Sequence, residues 1–318
     1  GNIESMYDLI ILGGGPAGAG AAVYSARKLL KTAIITKEFG GQSTVSETIY
    51  NWIGTKEISG NDLAKNLEDH VKNYSGQFLD IFEGEEVEKI EKENDYFVVK
   101  TKRQKEFKTK SVIVATGSSR RKLTIEGSLA FENKGITYCA TCDGPLFSEM
   151  DVAVVGGGNA GFETAMQLLA YCKSVTLLES GDCMKADKIT IDKVMAYPNF
   201  RCFKNIELVR VEGNKFVESL TYKDKETKEE KTIQVSGIFV EIGQTPNTLF
   251  IKDLVKINDQ GKIVTDPVTQ RTSVDGIWAA GDCTDGKYNQ NNIAVGDAVK
   301  ALEDAYLWLK TKEEGTSK

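Results

Sequence analysis

Short apolar runs alternate with helical stretches along this chain. Residues 8–12, 32–36, 112–117, 151–155, 174–178 and 237–243 are predominantly apolar, and several run directly into glycine. Runs of this length without polar alternation read as buried strands. Helical spacing places Val23, Ala26 and Leu30 on one face of residues 19–30, and Leu63, Leu67, Val71 and Tyr74 on one face of residues 61–74. Ser59 or Asn61 is the expected N-cap of the second of these. Residues 162–171 and 293–309 read as two further helices. Residues 87–101 and 106–116 read as strands joined by charged turns, and the charge run 223–231 as a solvated hairpin turn. Residues 39–60 are expected to be loop-like. The polar, basic stretch 118–122 is expected to be a linker on a solvated face, 244–247 a boundary, and the lysine-rich tail after Lys310 a frayed end.

The strand–glycine–helix pattern occurs twice. Residues 8–12 lead into Gly13-Gly14-Gly15-Pro16-Ala17-Gly18, and residues 151–155 lead into Gly156-Gly157-Gly158-Asn159-Ala160-Gly161. Each loop opens a helix and is followed by a second strand, which is the first half of a dinucleotide-binding βαβ unit. The first glycine permits the tight turn, the second lets a pyrophosphate approach the backbone, and the third packs helix against strand, with the helix N-terminus facing the phosphates. One chain therefore carries two dinucleotide sites.

Composition narrows the class. The 318 residues, 41% hydrophobic and 27% charged, can build two domains or one interrupted domain with a full core. A net charge of −6 and the lack of a polybasic run with aromatics argue against nucleic-acid binding. No apolar run approaches the roughly 18 residues of a membrane span, and residues 9–12 end in glycines, so they read as a strand and not as a leader. Residues 1–5, ahead of Met6, are expected to be a remnant of cloning. Six cysteines in so long a chain do not make a disulfide framework, and the cytoplasm is the expected compartment.

Between the two loops lies Cys139-Ala140-Thr141-Cys142-Asp143-Gly144. Two thiols at this spacing can close into a small disulfide and reopen with little backbone movement, which suits reversible two-electron chemistry. The same spacing is half of a zinc site, but no second Cys-x-x-Cys exists and the only histidine, His70, is distant in sequence, so no metal is expected. Of the other cysteines, Cys172 and Cys283 fit buried positions, while Cys183 and Cys202 carry no motif.

The two glycine loops differ at the end of their second strands. Eighteen residues beyond Gly18 stands Thr36; eighteen beyond Gly161 stands Glu179. A carboxylate there accepts from ribose hydroxyls and repels a 2′-phosphate. No arginine occurs after Glu179 in Ser180-Gly181-Asp182, so the second site is expected to prefer NADH over NADPH.

With a Gly-x-Gly-x-x-Gly on each side of a Cys-x-x-Cys, the sequence resembles the low-molecular-weight thioredoxin reductases over essentially its whole length. The resemblance rests on residues 13–18, Gly41-Gln42, Asn51-Trp52, Ala115-Thr116-Gly117, residues 139–144, residues 156–161 and residues 279–282. The second half is similar to the flavoprotein subunit of bacterial alkyl hydroperoxide reductase in Gly158-Asn159, residues 175–179 and Met184-Lys185-Ala186-Asp187. The resemblance implies an α/β fold of two Rossmann-like, three-layer ββα domains: an FAD-binding domain of residues 1–118 and 248–318, interrupted by an NAD(P)-binding domain of residues 119–247 that carries the redox disulfide. It implies FAD along Gly13, Gly15, Pro16, Ala17, Gly18, Gly41, Gln42, Asn51, Val87, Ala115, Gly117, Asp282 and Gln290. It implies NADH along Gly156, Gly158, Asn159, Gly161, Glu163 and Glu179.

Electrons are then expected to pass from the nicotinamide to FAD and on to a Cys139–Cys142 disulfide. Cys142 would be the flavin-facing thiol, Cys139 the thiol that attacks the partner, and Asp143 the acid–base. A thioredoxin- or glutaredoxin-like disulfide protein, expected to be a separate chain because the reductase's N-terminal thioredoxin-like module is absent, is the implied acceptor, and a homodimer the implied assembly. The chain lacks the His-Arg-Arg group found after the second strand in thioredoxin reductases and has Glu179-Ser180-Gly181 instead. That departure leaves open a relative fed by ferredoxin or another donor. A redox-sensing flavoprotein is a third, non-catalytic reading.

Overall fold

A computed structural model describes residues 6–45 and 48–316, so the expectation for residues 1–5 lies outside it. The chain divides into two compact units, one of residues 1–119 and 245–318 and one of residues 120–244.

The first unit is built on five parallel strands in the order Ile277–Ala279, Val112–Val114, Leu9–Gly14, Thr32–Phe39, Leu79–Glu83. The continuous apolar runs are explained by the two faces of this sheet. Leu9, Ile11, Ile34, Ile113 and Trp278 pack toward the helices Pro16–Arg27 and Asn291–Thr316. Ile10, Leu12, Ala33, Ile35, Val112 and Val114 pack on the other side with Ile90, Phe97 and Val99 of an antiparallel sheet, Val87–Lys92, Phe97–Thr101 and Glu106–Thr109. Alternate side chains of one strand thus feed two separate cores.

The second unit repeats this plan. Its parallel strands run Phe200–Phe203, Ser174–Leu178, Asp151–Val155, Gly237–Val240, Ile136–Thr137. Val152, Val154, Val175, Leu177 and Phe239 meet the helices Asn159–Leu169 and Lys188–Met195. Ala153, Val155, Leu178, Ile238 and Val240 meet the antiparallel sheet Ile206–Gly213, Val217–Asp224, Glu230–Gln234. Both units are therefore three-layer ββα sandwiches of Rossmann type.

Three expectations change and one open alternative is resolved. The helices after the glycine loops begin earlier than their apolar spacing suggests, at Pro16 and Asn159, because the loop itself supplies the first turn. Ser59, and not Asn61, caps the helix Gly60–Lys72, its Oγ accepting the Asp62 N–H at 3.0 Å. The stretch read as a solvated linker contains a strand, Ser118–Arg120, paired with Gln244–Pro246, and Arg120 is half-buried while Arg121 and Lys122 are exposed. The last helix does not end near Leu309 but continues to Thr316, beside ion pairs from Lys310 to Glu313 and from Lys312 to Asp275. His70 lies exposed on its helix.

Candidate active site

The cysteine pair sits at the head of a one-turn helix, Ala140–Asp143, that comes directly after the edge strand Ile136–Thr137. Cys139 is extended and acts as the N-cap: its sulfur accepts the Cys142 N–H at 3.2 Å, and its carbonyl accepts the Asp143 N–H at 3.0 Å. This turn brings the Cα atoms to 5.3 Å, and the two sulfurs form a disulfide. Both cysteines are half-buried. Gln167 holds the turn against the helix Asn159–Leu169, donating to the Ala140 carbonyl at 3.1 Å. Gly144 lets Tyr171 close over the next turn, since a Cβ there would lie 2.1 Å from the tyrosine oxygen.

Three groups that belong to no sequence motif are linked to the turn that carries the disulfide, two directly and the third through Arg120. The Thr137 hydroxyl donates to Asp143 Oδ2 and accepts the Cys139 N–H at 3.4 Å. The Arg120 guanidinium donates to the Tyr138 carbonyl. Burial pushes the Asp143 carboxyl above the ordinary aspartate range, while the Thr137 hydrogen bond and the Arg120 charge pull it back. The third group is Glu241, just past the strand Gly237–Val240, which accepts from Thr164 Oγ1 at 2.9 Å. Its carboxyl is also raised by burial and lowered by Thr164 and by Arg120, so a single guanidinium serves two carboxylates. Thr137 lies two residues before Cys139 and Glu241 inside the apolar run 237–243, but only tertiary structure joins them.

The two glycine loops meet the steric demands of a dinucleotide cradle. Gly13 has φ +110°, and a Cβ there would lie 2.1 Å from the Ala115 carbonyl; one at Gly18 would lie 1.8 Å from the Gly13 carbonyl. In the second loop Gly156 has φ +116° and would meet the Glu241 carbonyl at 2.1 Å, and Gly161 would meet the Gly156 carbonyl at 1.8 Å. The middle glycines behave differently. A Cβ on Gly15 would make only ordinary contact with Gly41, at 3.6 Å, and one on Gly158 would meet nothing within 4 Å. Protein packing does not require glycine at either place, whereas close approach of a phosphate does. Neither helix has a side-chain cap or an acidic residue in its first turn. These features fit a pyrophosphate at each loop.

The remaining expected cofactor residues fall into the unit of their own loop. Pro16 opens the first helix and Ala17 lies beneath Gly281, next to Asp282. Gly41 has φ +57° and faces Gly15; Gln42 is exposed in the same 3₁₀ turn, Gly41–Val45. Asn51 donates to Gln290 Oε1 at 3.2 Å, tying a loop to the start of the last helix. Ala115 donates to the Leu12 carbonyl, and Gly117 at φ +66° has open space where a Cβ would stand. Val87 opens an antiparallel strand opposite Thr101. In the second unit Asn159 Oδ1 accepts the Asp187 N–H at 2.8 Å and Glu163 is exposed. Glu179 is 8% exposed, and its carboxylate accepts N–H groups from Gly157 at 2.6 Å and Gly181 at 2.7 Å.

The other cysteines stand apart from this chemistry. Cys172 and Cys283 are buried, and burial pushes each thiol up to about 11. Cys183 is exposed. Among the described residues no cluster of His, Cys, Asp and Glu could hold a metal ion, and no helix is long and apolar enough to cross a membrane.

Two Rossmann units, the second of which carries the redox disulfide, define a nucleotide-linked disulfide oxidoreductase. The family model "pyridine nucleotide-disulphide oxidoreductase" matches residues 7–298, and the chain belongs to that family. Among curated relatives, a "NADH dehydrogenase" of Bacillus subtilis (strain 168) is 40% identical over 96% of this chain and 59% of that protein. An alkyl hydroperoxide reductase subunit of Staphylococcus aureus (strain MSSA476) is 40% identical over 96% of this chain and 60% of its own length. The chain thus spans about three fifths of the curated relatives it matches. Among solved structures, thioredoxin reductase from Streptococcus pyogenes MGAS5005 superposes with a TM-score of 0.90 at 34% identity, covering 97% of this chain and 99% of that one. That from Giardia duodenalis gives 0.91 at 28% identity, with 96% and 99% covered.

Proposed function

We propose that this chain passes electrons from NADH through FAD to its Cys139–Cys142 disulfide, and from there to a thioredoxin- or glutaredoxin-like disulfide protein. The observation that carries the reading is the half-buried Cys139–Cys142 disulfide in a chain with two dinucleotide cradles. FAD, held along Gly13–Gly18, Gly41, Gln42, Asn51, Val87, Ala115, Gly117, Asp282 and Gln290, supplies two-electron transfer between a nicotinamide and a disulfide. Residues 1–118 and 248–318 form its domain in this reading, and residues 119–247 the nucleotide domain.

The nucleotide lies along Gly156, Gly158, Asn159, Gly161 and Glu163, with the Glu179 carboxylate toward the adenosine ribose. Glu179 already accepts two N–H groups, yet a carboxylate has about four acceptor positions, so it can take a ribose hydroxyl as well. A 2′-phosphate would meet its charge, which favours NADH over NADPH. A relative named for NADH supports that choice. Cys142 receives the electrons, Cys139 attacks the partner's disulfide, and Asp143 holds and returns the proton. A cytoplasmic homodimer completes the reading.

The test is NADH oxidation by the FAD-loaded protein in the presence of a panel of thioredoxin- and glutaredoxin-like proteins. At least one should turn over, and Cys139→Ser and Cys142→Ser should each abolish that turnover. Turnover that survives either substitution would contradict the assigned route.

A further inference from the structure

We propose that Thr137 is the positioning residue of Asp143, holding its carboxylate ionised and oriented for proton exchange with the cysteine pair. The inference rests on the reading of Cys139, Cys142 and Asp143 as the redox site, and adds a residue to it.

The geometry makes the Thr137 hydroxyl a two-way link. Its proton goes to Asp143 Oδ2, and its oxygen takes the Cys139 N–H at 3.4 Å. A hydroxyl that accepts from an N–H on one side presents its own proton on the other, so the arrangement favours an acceptor at Oδ2, the ionised form. Thr137 is itself fixed: it ends the edge strand Ile136–Thr137, paired in parallel register with Phe239, and is 6% exposed. The charged group facing Asp143 is Arg120, which also faces Glu241. Arg120 is shared, whereas the Thr137 proton is committed to Asp143.

The reaction shows why the carboxylate must be ionised at the start. In the reduced pair, the Asp143 carboxylate removes the proton of the Cys139 thiol. The thiolate attacks one sulfur of the acceptor, forming a mixed disulfide and breaking the acceptor's S–S bond, and the departing thiolate takes the proton back from Asp143. Cys142, losing its proton the same way, displaces the second acceptor sulfur from Cys139, which leaves as a thiol. Two thiols have become the Cys139–Cys142 disulfide and one acceptor disulfide has become two thiols. A protonated Asp143 cannot begin this sequence.

The experiment uses the FAD-loaded protein with Thr137→Val and Thr137→Ser. The buried carboxyl is titrated by its infrared C=O stretch, identified by its loss in Asp143→Asn. In parallel, oxidation of the reduced pair by 5,5′-dithiobis(2-nitrobenzoate) is monitored in single turnovers across pH. Thr137→Val should raise the Asp143 midpoint and the acid limb of the rate profile together by about one pH unit, and Thr137→Ser should restore both. Thr137→Ala serves the same comparison if the valine variant does not fold.

A midpoint unchanged in the valine and alanine variants, or a serine variant that titrates like them, would overturn the proposal. So would a rate that falls equally at every pH, the mark of a merely structural role. Failure of the wild-type pair to reduce the reagent at all would instead overturn the redox reading beneath it, because the infrared titration does not depend on turnover.

Discussion

The Glu179 carboxylate accepts the Gly157 N–H at 2.6 Å, so the acidic end of the second strand is fastened directly to the second glycine loop. The contact is close enough that a Cβ on Gly157 would lie 2.7 Å from Glu179 Oε2. Glu179 therefore fixes the loop's shape, and in the proposed reading it also offers a carboxylate to a ribose. In Glu179→Gln the amide NH₂ would confront one of the two N–H donors that the carboxylate now satisfies. The variant should lose about 1–3 kcal/mol of stability and about tenfold of its preference for NADH over NADPH. Melting curves and kcat/KM for both nucleotides check the two effects separately.

The glycines of the second loop divide by purpose. Gly161→Ala would force a Cβ to within 1.8 Å of the Gly156 carbonyl, whereas Gly158→Ala, at φ −85° and ψ −174°, meets nothing. The first should destabilise the protein by more than about 3 kcal/mol. The second should melt within about 0.5 kcal/mol of the wild type yet bind NADH at least about tenfold more weakly. Calorimetric melting and isothermal titration with NADH separate the two.

Free cysteines should react in the order of their exposure. Cys183 is exposed, while Cys172 and Cys283 are buried with thiols pushed up to about 11, and the thiolate is the reactive form. Iodoacetamide on the oxidised native protein should modify Cys183 first and leave Cys172 and Cys283 untouched until denaturant is added, as read by peptide mass spectrometry.

Asp143 should leave a mark on stability as a function of pH. Burial is the largest influence on its carboxyl and raises it above the unfolded value of about 3.9. The folded protein thus holds this proton more tightly than the unfolded chain. Below the unfolded value both states are protonated and Asp143 costs nothing; as pH rises through the folded value, ionisation in a buried site removes stability. Asp143→Asn should therefore stabilise the protein at about pH 8, by on the order of 1 kcal/mol, and have little effect at about pH 4, as read by melting curves at the two pH values. Equal destabilisation at both values would contradict this assignment.

Much of this molecule was legible in the sequence because its strands are buried on both faces. Residues 8–12 and 151–155 had to be core strands, and the glycines after them carried spacing that only a tight turn onto a helix explains. Cys139 and Cys142 were legible because their chemistry needs only four consecutive residues. Pro16 and Asn159 as helix starts were not, since the first turn of each helix carries no apolar spacing. Nor was the half-buried Arg120: three consecutive basic residues look solvated, and its hydrogen bond to the Tyr138 carbonyl has no signal in the sequence. Thr137 and Glu241 stayed hidden because their partners, Asp143 and Thr164, lie across strand and helix boundaries.

The central claim is that electrons from NADH reach the Cys139–Cys142 pair through FAD. The most direct measurement is anaerobic titration of the FAD-loaded protein with NADH, with flavin absorbance recorded and free thiols trapped by alkylation at each point. The flavin should bleach and Cys139 and Cys142 should become alkylated in step, NADPH being far less effective. A flavin that stays oxidised in NADH but is reduced by ferredoxin, or one that bleaches while the Cys139–Cys142 disulfide stays closed, would contradict the claim.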